Sequence, residues 1–350
     1  MALGPRVRAD VVYVWSNDGT LQKFPTNGAP LLVANNLSGG NGPVGLACDN
    51  VGNVYAGVPS GSQIWRFSPN GNNSLMGPMV DSVSGLAFDQ AGNLFATIPN
   101  YGEVAELNYV LGYGYILNGQ SPNYVSASSA VLAFDNAGNF YTASGSANKV
   151  EKFSASFADL GAFATSLNQP WGLAFDNAGN LFVSNSGTNG TLRNTIVKFT
   201  TNGVRSTFAT STSGLSQPQG LAFDSAGNLY VVNAGNGTVE KFKPDGTSSV
   251  FASGLNAPAA IAIYPGLNVW SASAIKLNHA TYLPSGNFQF NLVENSGLSF
   301  SVLATTNIST AMTNWTTVGI TTEVAPGQYQ FNDPQATNSL QRFYRIVAPQ

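Results

Sequence analysis

The chain has 350 residues, enough for about two domains of ordinary size. Charged residues make up only 9% of it, the formal net charge is −3 and no cluster of Lys or Arg occurs, so the composition excludes a nucleic-acid-binding surface. A single cysteine excludes an internal disulfide framework, and the longest apolar stretch, near 109–117, is far shorter than the ~18 residues of a membrane helix.

The first ten residues contain Arg6, Arg8 and Asp10 but no apolar segment of the kind that directs export. Two interpretations stay open: a cytoplasmic protein, or one whose signal peptide is absent from this sequence. A low content of charge and many Asn, Ser, Thr and Gly residues are common in exported bacterial proteins. We therefore expect a secreted or extracellular protein.

Three short strands are predicted next, at residues 11–15, 20–24 and 29–34. They match the second, third and fourth strands of the repeat unit that follows. No segment before them could serve as the first strand of such a unit.

A five-residue segment with the pattern Gly-Leu-Ala-Phe-Asp then recurs along the chain. Its copies are residues 45–49, 85–89, 131–135, 172–176 and 220–224, with a degenerate sixth copy at 260–264. The copies begin 40, 46, 41, 48 and 40 residues apart. One four-stranded blade of a β-propeller has this length, about 40–50 residues, and no long segment of helical periodicity lies between the copies.

Each repeat unit predicts four strands. The recurring segment is the first strand, with large side chains such as Leu173 and Phe175 on one face and small ones on the other. An Asp-x-x-Gly-Asn turn follows, in which Asp accepts hydrogen bonds from nearby backbone N–H groups and Gly supplies a positive φ. Second and third strands such as 229–232 and 238–242 come next, and another turn leads to the fourth.

The two ends of the repeat region complement each other. The last copy, at 260–264, lacks clear third and fourth strands, and the N-terminal strands lack a first strand. One composite blade that joins them gives six blades in a closed ring, which leaves no open sheet at either end. Residues 268–270 align with a second strand, so a seven-bladed ring stays open as an alternative.

These residues resemble the NHL-repeat family of β-propellers over about residues 10–266. The shared features are the recurring segment, the Asp-x-x-Gly-Asn turn, an aromatic or apolar second strand and a Val-x-Lys-Phe third strand. The WD40 family fits less well, since its Gly-His and Trp-Asp pairs are absent. The NHL family includes protein- and RNA-binding scaffolds and related hydrolases and lyases, so the fold alone does not decide the function.

Residues 275–350 do not continue the repeat. Short strands are predicted there at 276–284, 287–293, 298–306, 315–324, 328–331 and 342–347. They predict a small antiparallel β-sandwich. It resembles immunoglobulin-like and fibronectin-III-like modules of exported bacterial proteins, which end in a strand similar to residues 343–345.

Few residues of the chain are suited to catalysis. His279 is the only histidine and lies beyond the repeat region, so it cannot complete a multi-histidine metal site or a Ser-His-Asp triad there. Cys48 takes the place of a phenylalanine in the other copies, which predicts a buried thiol. Calcium prefers about 6–8 oxygen ligands, so the single Asp of each turn is expected to cap its own turn instead.

The mouth of the ring is the predicted binding site, because the loops before the first strands and after the second strands converge there. The predicted ligand-binding residues are Trp171, Asn185, Gln219 and Asn233. They combine one aromatic face with three neutral amides, which suits a neutral glycan or peptide segment. We therefore predict a non-enzymatic extracellular binding module without a cofactor. The alternative that Trp171 packs beneath a loop and the amides stabilise turns stays open.

The competing hypothesis is a metal-dependent hydrolase or lyase that uses the central channel. The resemblance to six-bladed lactonases implies a divalent cation such as calcium held by Glu, Asp and Asn, and amidating lyases of similar fold need histidine ligands. Asp18 and Glu103 are the nearest carboxylates by loop position, and both are expected to face solvent. No acid–base pair can be assembled from these residues, so no catalytic residue and no metal ligand is predicted.

Overall fold

The computed structural model describes residues 10–25, 29–35, 45–58, 63–69, 71–76, 83–98, 102–110, 114–120, 131–264, 278–282, 288–293, 301–306, 316–325, 328–333 and 343–347. They fall into two compact units, one between 10 and 264 and the other between 278 and 347. Within these residues the helices and strands are all β-strands, apart from one short 3-10 helix at Ser211–Ser213, and no α-helix occurs. The prediction of an all-β chain is confirmed for this part of the sequence.

The described residues of the first unit form 24 strands in four-stranded antiparallel sheets. The first eleven strands in chain order are β1 (Val11–Ser16), β2 (Leu21–Pro25), β3 (Leu31–Ala34), β4 (Leu46–Cys48), β5 (Val54–Val58), β6 (Gln63–Phe67), β7 (Asn73–Leu75), β8 (Gly85–Phe88), β9 (Leu94–Ile98), β10 (Glu103–Val110) and β11 (Gly114–Gln120). The remaining strands are β12 (Leu132–Phe134), β13 (Phe140–Ser144), β14 (Lys149–Phe153), β15 (Asp159–Ala164), β16 (Pro170–Phe175), β17 (Leu181–Asn185), β18 (Thr195–Phe199), β19 (Arg205–Ala209), β20 (Pro218–Phe223), β21 (Leu229–Asn233), β22 (Thr238–Phe242), β23 (Ser248–Ala252) and β24 (Pro258–Tyr264).

One sheet is built from both ends of this unit. Its strand order is β24-β1-β2-β3, while the other sheets follow the chain as β4–β7, β8–β11, β12–β15, β16–β19 and β20–β23. In the mixed sheet Val12 lies opposite Ile263, and Tyr13 lies opposite Ala262. The last copy of the recurring segment therefore pairs with the N-terminal strands, as the sequence predicted. The second strand considered at 268–270 lies outside the described residues.

The first strands of the sheets contact one another in an unbroken cycle. Strand β4 contacts β8, and the contacts continue through β12, β16, β20 and β24 back to β4. Between neighbouring sheets lie clusters of buried apolar side chains from both sheets. The alternation of large and small residues along each first strand suits this packing, since both of its faces meet a neighbour.

The Asp-x-x-Gly-Asn turns use their carboxylates locally. The Oδ1 atom of Asp176 accepts hydrogen bonds from the backbone N–H groups of Ala178 at 3.0 Å and Asn180 at 2.9 Å. Its Oδ2 atom accepts one from Nδ2 of Asn180 at 2.8 Å and lies 3.5 Å from Nζ of Lys198. Burial acts to raise the pKa of Asp176, but the hydrogen bonds from Asn180 and the charge of Lys198 outweigh it and hold that pKa below its ordinary value. The aspartates thus cap their turns.

Aromatic rings join neighbouring sheets at matching positions. A ring on each of four second strands packs edge-on against the phenylalanine of the next first strand. The pairs and the distances between their ring centroids are Tyr55–Phe88 at 5.2 Å, Phe95–Phe134 at 4.9 Å, Tyr141–Phe175 at 5.0 Å and Phe182–Phe223 at 5.0 Å. Such contacts add roughly 0.5–1.5 kcal/mol each beyond their buried area.

Cys48 replaces the phenylalanine of this ladder. It packs against the cluster that contains Tyr13. As a whole residue Cys48 is half-buried, like Phe88, Phe134, Phe175 and Phe223 at the same position of the other copies. Burial raises the pKa of the Cys48 thiol, and burial, with Cys48 and Tyr264 nearby, raises the pKa of Tyr13 to about 12. Both groups therefore stay protonated and uncharged at neutral pH.

The described residues of the second unit form two antiparallel sheets. Its strands are β25 (Asn278–Tyr282), β26 (Phe288–Val293), β27 (Ser301–Thr305), β28 (Thr316–Ile320), β29 (Thr322–Ala325), β30 (Gln328–Asp333) and β31 (Phe343–Val347), in the orders β25-β26-β30-β29 and β28-β27-β31. Contacts join the two sheets. The ring of Phe288 stacks on Tyr344 with 4.9 Å between centroids, and the Tyr344 hydroxyl donates to Oδ2 of Asp333 at 2.7 Å. The predicted domain boundary between 266 and 275 falls outside the described residues and stays a prediction.

Candidate binding site

A cavity of about 290 Å³ lies among the first strands of the first unit. All six strands of the cycle contribute to its lining, which consists of Gly45, Leu46, Ala47, Cys48, Gly85, Leu86, Ala87, Phe88, Val131, Leu132, Ala133, Trp171, Leu173, Gly220, Leu221, Ala259, Ala260 and Ile261. These described lining residues are uncharged at neutral pH, and Trp171 has the largest side chain among them. The cavity therefore presents apolar side chains and backbone polar groups to anything that enters it.

Glycine lets the first strands approach closely beside the cavity. A Cβ atom at Gly172 would lie 2.2 Å from the backbone oxygen of Gln219, and one at Gly45 would lie 2.4 Å from the backbone nitrogen of Leu86. Real Cβ atoms do not approach backbone atoms so closely. The glycine that opens most copies of the recurring segment is thus required by the contact between neighbouring first strands.

Trp171 sits in a β-bulge at the start of its strand. The register between β16 and β17 shifts between Pro170 and Leu173, so that Trp171 and Gly172 together occupy the space opposite one residue of β17. The same shift between Pro218 and Leu221 places Gln219 in a matching bulge one sheet later. Bulges redirect side chains, and they are common next to functional sites. The sequence did not predict these bulges.

Ser184 connects the two bulges and was missed by the sequence analysis. It is fully buried, and its Oγ atom accepts a hydrogen bond from the Gly172 N–H and donates one to the Gln219 backbone oxygen, both at 2.7 Å. One hydroxyl therefore holds the backbone beside Trp171 against the backbone of Gln219. The only sequence sign is a serine inside the otherwise apolar run 181–184.

Gln219 is half-buried, and its side-chain oxygen differs from the backbone oxygen of the same residue in its hydrogen bonding. The Oε1 atom is buried and has no hydrogen-bond partner. Its backbone oxygen, in contrast, accepts the hydrogen bond from Ser184. Gln219 matches Trp171 in the neighbouring sheet, but unlike Trp171 it is not among the lining of the cavity, and ligand binding by it stays a prediction.

Asn185 and Asn233 are fully buried and bonded to their own loops. Oδ1 of Asn185 accepts from the Asn168 N–H at 2.9 Å, and its Nδ2 donates to Oγ1 of Thr195 at 3.1 Å. Asn233 repeats the arrangement one sheet later, with Ser216 as donor at 3.2 Å and Thr238 as acceptor at 3.1 Å. These amides hold the loops that lead into the first strands, which is the turn-stabilising role considered above. Neither residue is among the lining of the cavity, and ligand binding by them stays a prediction.

The residue directly before Pro170, Pro218 and Pro258, the prolines that open β16, β20 and β24, adopts a left-handed backbone conformation. The φ angles are 48° at Gln169, 46° at Gln217 and 45° at Ala257, in a region that is disfavoured for non-glycine residues and for residues before proline. The Gln169 N–H donates to Oδ1 of Asn148 at 2.7 Å, and that of Gln217 donates to Oδ1 of Asn194 at 2.8 Å. Asparagines from the preceding sheets therefore fix this conformation. Both glutamine side chains are exposed.

Neither Asp18 nor Glu103, the carboxylates considered from the sequence, is among the lining of this cavity. Asp18 is exposed and accepts hydrogen bonds from its neighbour Thr20, and Glu103 is half-buried at the start of β10. His279 belongs to β25 of the second unit, and its side chain is not described. Among the described residues, no three His, Cys, Asp or Glu side chains are grouped as metal ligands.

Comparison with known families and sequences gives one local match. Residues 215–242 match the NHL repeat, over the stretch that leads into β20 and runs to the end of β22. A search with the sequence finds no match among curated proteins. In the part of the chain that the structure describes, no helix is long and apolar enough to cross a membrane.

Similar solved structures are β-propeller proteins. Virginiamycin B lyase from Staphylococcus aureus is 13% identical with a TM-score of 0.54, over 71% of this chain and 84% of that one. A nidogen–laminin complex gives 17% identity and a TM-score of 0.58, over 73% and 98% of the two chains. A candidate gluconolactonase gives 15% and 0.52, over 73% and 87%. At these identities the similarity shows the fold alone, which is that of a β-propeller with NHL-like repeats.

Proposed function

We propose that residues 10–266 form a closed six-bladed propeller that binds an uncharged ligand in its central cavity, with Trp171 as the main contact. The cycle of contacts among the six first strands supports the ring, and the pairing of β1 with β24 supports its closure. A closed ring would leave no blade with a missing strand.

The lining of the cavity carries this proposal. Its described side chains are uncharged, and one of them is the half-buried indole of Trp171. Binding sites for small molecules typically combine apolar and aromatic walls with a few polar groups, in volumes of roughly 300–1,000 Å³. The cavity, at about 290 Å³, lies close to the lower end of that range. A charged ligand would lose its hydration there without gaining a partner on these walls.

The described lining of the cavity suits ligand binding better than catalysis, because it offers almost no groups that could act as acid or base. The propeller neighbours include lyases and a candidate gluconolactonase as well as a protein in a complex with laminin, so the fold is compatible with either function. Cys48 is the only side chain in the described lining that could transfer a proton, and burial raises its pKa. General acid–base catalysis works best with a group whose pKa lies near the working pH.

The second unit is proposed to be a small β-sandwich of immunoglobulin-like or fibronectin-III-like type, spanning residues 275–350. Its two sheets and the stacking of Phe288 on Tyr344 support a sandwich. We further propose that the protein acts outside the cell on a glycan or a protein ligand, which the low charge and the polar uncharged composition favour.

The proposal is tested by comparing two tryptophan variants. Trp171→Ala is expected to abolish or strongly weaken the binding of neutral oligosaccharides or uncharged peptides, measured by ligand-observed NMR. Trp65→Ala is the control, because Trp65 is also half-buried but stacks on Phe67 in β6 and is absent from the described lining. Chelator is expected to have no effect on binding. Equal binding by the wild type and Trp171→Ala would contradict the proposal, as would chelator-sensitive turnover of a lactone.

A further inference from the structure

The cavity is bordered by the free edges of the first strands. Each first strand is the end strand of its own sheet, with the second strand on one side and no strand on the other. The described lining consists of residues within these first strands or directly before them, and it includes no residue of a second strand. The side of each first strand that has no partner strand therefore faces the cavity.

The hydrogen bonds at the end of each first strand show which of its backbone groups face the cavity. The Asp49 N–H donates to the backbone oxygen of Asn53 at 3.0 Å, on the side of β5. In an antiparallel ladder, residues that bond to the partner strand alternate with residues whose N–H and C=O groups point away from it. Counting back from Asp49, Leu46 and Cys48 therefore direct these groups away from β5 and towards the cavity.

The same position of every sheet contributes to the cavity. The aspartates of the other four turns make the equivalent backbone bond to their asparagines at 2.9–3.0 Å. The residue three positions before each aspartate therefore matches Leu46, and Ile261 matches it in β24 by its place in the recurring segment. All six belong to the described lining: Leu46, Leu86, Leu132, Leu173, Leu221 and Ile261. A ring of backbone donors and acceptors thus surrounds the cavity.

The first strands do not use these backbone groups to bond to one another. In the described part of the chain, no backbone hydrogen bond joins one first strand to the next. Backbone N–H and C=O groups need a hydrogen-bond partner, which here is water or a ligand. The lining residues Trp171, Cys48 and Phe88 are half-buried, so the walls of the cavity extend to solvent. The ring therefore offers main-chain donors and acceptors to a molecule that enters.

We infer that the ligand is an extended, uncharged peptide segment whose main chain pairs with the free edge of a first strand. This inference rests on the proposed function and names its ligand class. A sheet edge presents N–H and C=O groups at alternate residues, and an added peptide strand matches that spacing. The edges of β4 and β8 suit this pairing best, because two successive edge residues of each line the cavity, Leu46 with Cys48 and Leu86 with Phe88.

Trp171 belongs to the strand opposite β4 in the cycle. Counted along the contacts between first strands, β16 is the third strand from β4 in both directions. A peptide that pairs with β4 therefore lies between that edge and the strand that carries Trp171. We expect the indole to contact an apolar side chain of the peptide, while the described walls, which hold no charge at neutral pH, exclude charged side chains.

The experiment uses the full chain and ligand-observed NMR with acetylated, amidated six-residue peptides of alternating Ser and Val. Four forms are compared: unmodified, N-methylated at odd residues, N-methylated at even residues, and N-methylated throughout. Only alternate residues of a strand face a given edge, so at least one alternately methylated peptide should bind within about threefold of the unmodified one. The fully methylated peptide has no N–H donor left, and we expect it to bind at least about 10-fold more weakly.

The outcomes distinguish this inference from the proposed function. The expected pattern of methylation, with weaker binding of the unmodified peptide to Trp171→Ala, supports both. Equal affinity for the unmodified and the fully methylated peptide overturns main-chain recognition, and equal losses for all three methylated forms overturn pairing with a single edge. Binding of neutral oligosaccharides but of no peptide, still dependent on Trp171, overturns the peptide class and leaves the cavity as the binding site. Binding that is indifferent to Trp171→Ala overturns the proposed function itself.

Discussion

Replacing Ser184 by alanine is the sharpest test of how the site is held together. The change removes two hydrogen bonds of 2.7 Å from a fully buried hydroxyl. It leaves the Gly172 N–H and the Gln219 backbone oxygen without their partner. Each such loss costs about 1–3 kcal/mol, so we expect the free energy of unfolding to fall by about 2–6 kcal/mol. For a unit of this size, where 1 kcal/mol changes Tm by about 2–4 °C, that corresponds to a decrease in Tm of roughly 4–24 °C.

Thermal and urea unfolding followed by circular dichroism measure this change. Ser206→Ala is the matched control, because Ser206 is exposed in the outer strand β19 and its loss should change stability by less than about 0.5 kcal/mol. Ser184→Ala with the same midpoint and the same m-value as the wild type would refute the structural role assigned to this hydroxyl.

Three further predictions concern the ring and its charges. Deleting residues 1–28 removes β1 and β2 and leaves β24 without its partner strand, so it should cause aggregation or a large fall in Tm. Deleting residues 1–8 should do neither. An unchanged Tm in the longer deletion would contradict closure of the ring through β1. Burial raises the pKa of Glu240 above its ordinary value of 4.5, so the ionised side chain destabilises the folded protein increasingly as the pH rises above 4.5. In urea unfolding at several pH values, Glu240→Gln should therefore be more stable than the wild type at pH 7 and should lose that advantage at low pH. The pKa of Asp176 is lowered despite burial, so its contribution is present above the ordinary value of 3.8 and lost as pH falls below it; Asp176→Asn should unfold more easily at pH 7 and show a smaller loss of stability on acidification.

The architecture could be predicted because the sequence repeats. Each copy of the recurring segment predicts a first strand packed between two neighbouring sheets, and the spacing between copies gives the number of residues in one sheet. The pairing of β1 with β24 also followed from the missing strands at the two ends. These inferences needed only the positions and order of the strands along the chain, which can be predicted from the alternation of apolar residues.

The site was harder to predict because it depends on where individual side chains point. Alignment placed Trp171 and Gln219 at matching positions, but it could not reveal the bulges that shift the register by one residue. Asn185 and Asn233 end their strands, and from the sequence either ligand binding or turn stabilisation by their amides was open; in the structure their Oδ1 atoms accept hydrogen bonds from the preceding loops. The role of Ser184 could not be predicted, because a single serine in a mostly apolar strand does not indicate which backbone groups its hydroxyl contacts.

A structure of the protein with its tightest-binding neutral ligand decides whether the cavity is the binding site. We expect the ligand to lie in the cavity with an apolar face against the indole of Trp171. A ligand bound to the second unit or to an outer strand, with nothing against Trp171, would contradict the proposed function.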